Sequence, residues 1–373
     1  MLSTGNLDSE PMRRGARVTV TVIAALLLGL LGGLSPSAGA VNVVGVEVHS
    51  NITYYVPDTP TVNGNKLDLY LPTVPGAQRL PLLIWSSGSA WLSDNGRVGA
   101  APIAAVFNQY GYAVAGVSVR SSSQAKFPGQ LHDVRAAIRW LREHAADYNL
   151  DPNRFAIMGN SSGGWVASIA GTTSDIVRLP GETDVRGISS AVQAAVPFFP
   201  PTDFLQMDAW YVEHPEVVPF IRHDAPLTPL APPWIPIFNA SPESLLVRCT
   251  DSLGRLLGIQ TCPAETQAAN PITYVDGDEV PMLILHGESD PLVPNGQSVL
   301  LYEALRGAGN DATFISVPAA GHSVDQIIGA NDFTVFRTNR GGQETVTTEP
   351  APTWENVEHF LHVALSRARG VGH

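Results

Sequence analysis

The chain has 373 residues, a formal net charge of −12, 44% hydrophobic residues and 15% charged residues. That balance excludes an intrinsically disordered chain, and the length suffices for one large domain or two small ones, with a sizeable core. Only two lysines occur, Lys66 and Lys126, and no basic cluster follows the N-terminus, which argues against nucleic acid as a partner.

The N-terminus reads as a targeting segment. Met12-Arg13-Arg14-Gly15-Ala16-Arg17 supplies a positive region, residues 18–34 an apolar stretch, and Ala38-Gly39-Ala40 a small-residue cleavage site. Residues 1–40 are therefore expected to be a secretory signal peptide cleaved after Ala40. Residues 41–373 would then be an extracellular domain with no stable membrane anchor; an uncleaved anchor is the competing reading. An exported protein with an even cysteine count favours a disulfide, here between Cys249 and Cys262. Two cysteines without a C-x-x-C are too few for a zinc site of the usual kind, and no metal is expected.

Strands are expected at 43–49, 67–71, 82–85, 113–119, 155–158, 191–198, 282–285 and 313–317. These runs are short, rich in Val, Ile and Phe, and apolar nearly throughout, as in a parallel sheet covered on both faces. Helices are expected at 101–109, 131–146, 162–172, 296–308 and 354–368. The second is the clearest, with Val134, Ile138, Leu141 and Ala145 on one face and Arg135, Arg139 and Arg142 on another. Repeated β-α alternation predicts an α/β, mostly parallel, doubly wound sheet with helices on both faces. Two stretches break the rhythm. Residues 204–270 are irregular, with seven prolines between 215 and 236, and are expected to form a cap or lid over the carboxyl edge of the sheet. Residues 323–352 are polar and carry no assigned role.

Three short segments carry the chemistry. Gly159-Asn160-Ser161-Ser162-Gly163 is a G-x-S-x-G sequence between an apolar strand and a helix. Asp290 follows the strand at 282–285, and His322 follows the strand at 313–317. A serine hydroxyl is a poor nucleophile unless a base lies within hydrogen-bond reach and a carboxylate orients that base. Ser161, Asp290 and His322 supply these groups in the chain order Ser, Asp, His. Glu288 is the rival acid and His286 the rival base. Small residues at Gly159 and Gly163 would relieve crowding at the turn. The Ser162 backbone N–H is the first expected oxyanion donor, and the N–H groups of Ser89 and Ala90, in the loop after the strand at 82–85, are the candidates for the second. Trp91, Trp165, Phe199 and Trp210, with Phe198, are expected to line an aromatic-friendly substrate pocket, core packing being the alternative for Trp165 and Phe198.

At these residues the chain resembles the α/β-hydrolase superfamily, in its secreted carboxylesterase/lipase branch of feruloyl-esterase-like and acetyl-esterase-like enzymes. The supporting text also includes Lys126-Phe127-Pro128-Gly129-Gln130-Leu131-His132-Asp133-Val134-Arg135 and Leu150-Asp151-Pro152-Asn153-Arg154-Phe155. The resemblance implies an α/β-hydrolase fold, a serine hydrolase with Ser161, Asp290 and His322 as its triad, no cofactor, and a small-molecule or polymeric ester as substrate. That ester is expected to be an acylated polysaccharide, a feruloyl ester, a short-chain lipid or a polyester. A serine peptidase or amidase on the same fold, and a non-catalytic binding module on a hydrolase scaffold, are the alternatives. One departure stands out: the family usually carries His-Gly-Gly-Gly-Trp or His-Gly-Gly-Ala-Trp where this chain has Ser87-Gly88-Ser89-Ala90-Trp91.

Overall fold

The computed structural model describes residues 18–19, 45–73, 78–174, 179–182, 187–223 and 241–368. The expected signal peptide lies outside the described residues apart from Val18–Thr19, and so do residues 224–240 of the Pro-rich segment. The strands are β1 (Val18–Thr19), β2 (Gly45–Thr53), β3 (Lys66–Thr73), β4 (Leu80–Ser86), β5 (Ala113–Val117), β6 (Leu150–Asn160), β7 (Ala194–Phe198), β8 (Met282–Gly287), β9 (Ala312–Val317), β10 (Thr334–Thr338) and β11 (Glu344–Thr347). The helices are α1 (Ala100–Phe107), α2 (Gly129–Glu143), α3 (Ser162–Thr173), α4 (Met207–Glu213), α5 (Pro242–Val247), α6 (Pro263–Ala268), α7 (Gly296–Gly307), α8 (Val324–Ile327) and α9 (Trp354–Ala368).

All described strands join one sheet in the order β1-β2-β3-β5-β4-β6-β7-β8-β9-β10-β11. The six strands from β5 to β9 run parallel, and the outer strands on each side are antiparallel. The parallel strands are apolar because both faces are covered. On one face Leu131, Ile138, Ile169 and Leu301 bring α2, α3 and α7 against Leu82, Ile84 and Ile157. On the other, Ile103, Phe107, Val357 and Leu361 bring α1 and α9 against Leu83, Trp85 and Met158. Alternate residues of one strand thus feed two cores, the doubly wound arrangement expected.

The ends of elements shift by a few residues. The expected strand at 113–119 stops at Val117, and the one at 155–158 begins at Leu150. The larger difference is at 323–352. This stretch forms α8 and then a hairpin, β10–β11, that extends the sheet antiparallel to β9. Its strands are short and, in β11, exposed throughout, so they lack the apolar signature of the central strands. The insertion at 204–270 forms α4, α5 and α6 among its described residues. Cys249 and Cys262 are disulfide-bonded there, with Cα atoms 6.0 Å apart. Among the described residues, no helix is long and apolar enough to cross a membrane.

Candidate active site

Ser161 sits between β6 and α3 with φ 58° and ψ −127°. An L-residue in that region costs of order 1–3 kcal/mol and persists only where its surroundings fix it. Three glycines fix it here. A Cβ on Gly159 would lie 2.4 Å from Gly163 O, and one on Gly163 would lie 2.0 Å from Ser86 O. A Cβ on Gly88 would meet the Ser161 Cβ at 2.5 Å. The Ser161 N–H donates to Phe198 O at 3.0 Å, and Ser161 O accepts from Trp165 N at 2.9 Å. The chain therefore turns sharply from strand to helix and presents the side chain at the carboxyl edge of the sheet.

Asp290 follows β8 and is fully buried. Its Oδ1 accepts from the amides of Leu292 at 2.8 Å and Val293 at 3.0 Å, and its Oδ2 lies 2.7 Å from His322 Nδ1. His286 Nε2 is 3.3 Å from the same Oδ2. Burial alone would raise the Asp290 pKa. The hydrogen bonds and charge of His286 and His322 outweigh it and hold the carboxyl well below the usual carboxylate range. His322 follows β9, and its ring packs against Phe199 with centroids 4.4 Å apart. The two rivals are bonded elsewhere. His286 is fully buried, bonded to Ser298 Oγ at 2.7 Å and Val293 O at 2.9 Å. Glu288 turns away to accept from Ser316 Oγ at 2.8 Å. No hydrogen bond joins Ser161 to His322 among the described residues; catalytic bonds of this kind often tighten only around substrate.

In the loop after β4, left-handed φ angles fall on non-glycine residues, Ala90 at 51° and Trp91 at 55°. The loop therefore keeps its sharp turn without the usual glycines. Two side chains of the elbow hold it. Asn160 Oδ1 accepts from Gly88 N at 3.1 Å, and Ser162 Oγ accepts from Ser89 N at 2.8 Å. The Ser89 amide, expected to be an oxyanion donor, is thus already spent. The Ser162 N–H belongs to the first turn of α3, where amides lack helical acceptors, and the Ala90 N–H makes no hydrogen bond among the described residues. Sequence reasoning missed Asn160 as an anchor, although its place inside the elbow made it visible.

Among the described residues, most of the aromatics expected to line a pocket are packed in the core. Trp165 is fully buried and donates from Nε1 to Ala269 O at 2.8 Å, and Phe198 and Phe199 are also core residues. Trp91 is buried against Trp165 and Phe204, with ring centroids 5.5 and 5.6 Å away. Trp210 stacks on His214 at 4.0 Å and lines a groove of about 490 Å³ between α4 and α7 with Glu213, Glu288 and Gly296. Neither Ser161 nor His322 lines that groove. Trp91, Trp165, Phe198 and Phe199 thus bury large apolar rings in the core.

The family BD-FAE matches residues 67–220 and 241–305, more than half of the chain. The esterase LipQ of Mycobacterium tuberculosis (strain ATCC 25618 / H37Rv) is 29% identical over 273 residues, 72% of this chain and 56% of its own. The chain thus spans about half the length of the curated relatives it matches. Among solved structures, a truncated carbohydrate esterase from gut microbiota aligns at TM-score 0.60 and 26% identity, covering 86% of this chain and 96% of its own. A bifunctional GH43-CE protein of Bacteroides eggerthii aligns at TM-score 0.59 and 32% identity, over 74% of this chain and 35% of its own. The strand order is that of the α/β-hydrolase fold, and the matched residues span both the serine elbow and the acid turn: the chain belongs to the BD-FAE family.

Proposed function

We propose that the chain is an exported carboxylic-ester hydrolase working through an acyl-enzyme on Ser161. The carrying observation is the 2.7 Å bond from His322 Nδ1 to a buried Asp290, together with a serine on a strained elbow. With Nδ1–H held by Asp290, Nε2 is left free to take the Ser161 proton as Oγ attacks the ester carbonyl. The Ser162 and Ala90 amides receive the developing oxyanion, and the Asn160 and Ser162 side chains keep the loop in place. His322 then protonates the leaving alcohol, and water, activated by the same imidazole, releases the acid. The likeness to a carbohydrate esterase supports esters of carbohydrates as the substrate class. Export is supported by the leader-like residues 1–40 and by the disulfide.

The test compares wild type with Ser161→Ala on p-nitrophenyl esters from acetate to laurate and on acetylated xylan. Turnover of short esters and release of acetate, both lost in the variant, are expected; activity that survives Ser161→Ala sinks the reading. N-terminal sequencing of protein recovered from culture medium is expected to begin at Val41. Cell-retained protein with an intact N-terminus would overturn export.

A further inference from the structure

The turn that carries Asp290 aims its amides inward at the carboxylate, so its carbonyls face away into buried surroundings. Buried carbonyls need donors. Four in succession have them. Tyr211 Oη donates to Asp290 O at 3.2 Å, Phe220 N to Pro291 O at 2.8 Å, His223 Nε2 to Leu292 O at 3.0 Å, and His286 Nε2 to Val293 O at 2.9 Å. Three of these donors come from residues 207–223, the first limb of the insertion.

His223 has a feature the others lack. It is 2% exposed, and its Nδ1 lies 2.8 Å from Oε2 of Glu243, which is 3% exposed in α5, on the second limb. Its own N–H donates to Asp208 Oδ1 at 3.0 Å. Both ring nitrogens thus face acceptors, a carboxylate and a carbonyl, and both bonds need a hydrogen on the nitrogen. His286 differs, because the Ser298 hydroxyl can donate to its Nδ1 and leave Nε2–H for Val293.

We infer that His223, held as a cation by Glu243, is a positioning residue for the catalytic acid. The insertion braces the Asp290 turn, and the brace depends on the His223 proton. This rests on Asp290 being the catalytic acid. The titratable groups that act on His223 are Glu243 of α5 and Asp208 of α4; Tyr211 of α4, beside them, interacts in turn with Asp290, Asp208 and Glu243. Burial lowers the His223 pKa, but Glu243, by charge and hydrogen bond, and Asp208 outweigh it, so the net shift is upward. A raised value keeps the brace intact below the ordinary histidine pKa of about 6.5 and loses it as pH rises through the raised one. Once neutral, the ring has one hydrogen for two acceptors. The charged carboxylate takes it, and a lone pair then faces Leu292 O.

The experiment measures kcat and KM for p-nitrophenyl acetate from about pH 5.5 to about pH 9 in wild type, His223→Ala, Glu243→Gln and Asp290→Asn, with thermal melts to confirm folding. His223→Ala is expected to lower kcat at acid pH by about 10- to 100-fold with KM changed less than about twofold. In Glu243→Gln the amide can donate to Nδ1, so a neutral His223 keeps Nε2–H on Leu292. The alkaline decline of kcat expected in wild type should then flatten. Wild-type kcat in folded His223→Ala, or a Glu243→Gln profile that superposes on wild type, overturns the proposal. If His223→Ala does not fold, the Glu243→Gln profile decides alone. Wild-type kcat in Asp290→Asn would instead overturn the acid assignment beneath it.

Discussion

Replacing Asp290 by Asn changes one atom, and the structure says which way the amide must face. Oδ1 accepts two backbone N–H groups, at 2.8 and 3.0 Å, so the carbonyl oxygen of Asn stays there. The NH₂ then occupies the Oδ2 position, 2.7 Å from His322 Nδ1 and 3.3 Å from His286 Nε2. It can only donate to His322, so Nδ1 becomes an acceptor and the hydrogen moves to Nε2. That is the atom that must take the Ser161 proton. The flipped amide is worse, since it would aim two donors at two donors. With the wrong tautomer fixed, kcat is expected to fall by about 10⁴-fold, or about 5 kcal/mol of transition-state stabilisation. Loss of the charged hydrogen bond between His322 and the buried Asp290 carboxylate should also cost about 1.5–3 kcal/mol of stability. The assay is kcat on p-nitrophenyl acetate with protein shown by melting to be folded at the assay temperature. A loss of less than about tenfold would refute the tautomer argument and return Glu288 to consideration as the acid.

Gly163→Ala should be more damaging to the fold than its size suggests. Its Cβ would sit 2.0 Å from Ser86 O, a backbone atom of a central strand, so a loss of about 3 kcal/mol or more is expected, read as a lowered melting temperature; a wild-type melt would show that the elbow has slack. The depressed Asp290 pKa contributes stability that is present above the unfolded carboxyl value of about 3.9 and is lost as pH falls through the folded one. The melting gap between wild type and Asp290→Asn should therefore narrow from pH 7 to about pH 3, and a constant gap would contradict the shift. Reducing the Cys249–Cys262 bond, or replacing both cysteines by Ser, should cost about 3 kcal/mol in a denaturant titration. An unchanged midpoint would show that the short loop is already held by its packing.

What could be read from the chain and what could not divides along physical lines. The strand ends that carry Ser161, Asp290 and His322 were legible because strand periodicity is local. The doubly wound sheet was legible for the same reason. Ser89 was misread because the fate of its amide depends on Ser162 Oγ, 73 residues away, which no local pattern encodes. The aromatics were misread in a similar way. Trp165 reads equally as platform or core until Ala269 O is known to meet its Nε1. The β10–β11 hairpin escaped because edge strands are short and polar on purpose, and Thr-Val-Phe-Arg-Thr gives too little alternation to stand out. The prolines marked residues 204–270 as an irregular stretch, but the bonds from Tyr211, Phe220 and His223 to the Asp290 turn are all tertiary.

That hairpin has a consequence for handling the protein. β9 is buried along its whole length and would otherwise be the last strand of the sheet. A bare, apolar terminal strand is a template on which a second chain can pair. With β10 and β11 in place, the outermost rung is Glu344-Thr345-Val346-Thr347, exposed and bearing a charge. Trimming residues 334–347 would therefore leave the catalytic groups untouched in sequence, yet it should convert a dispersed protein into one that clumps as its concentration rises.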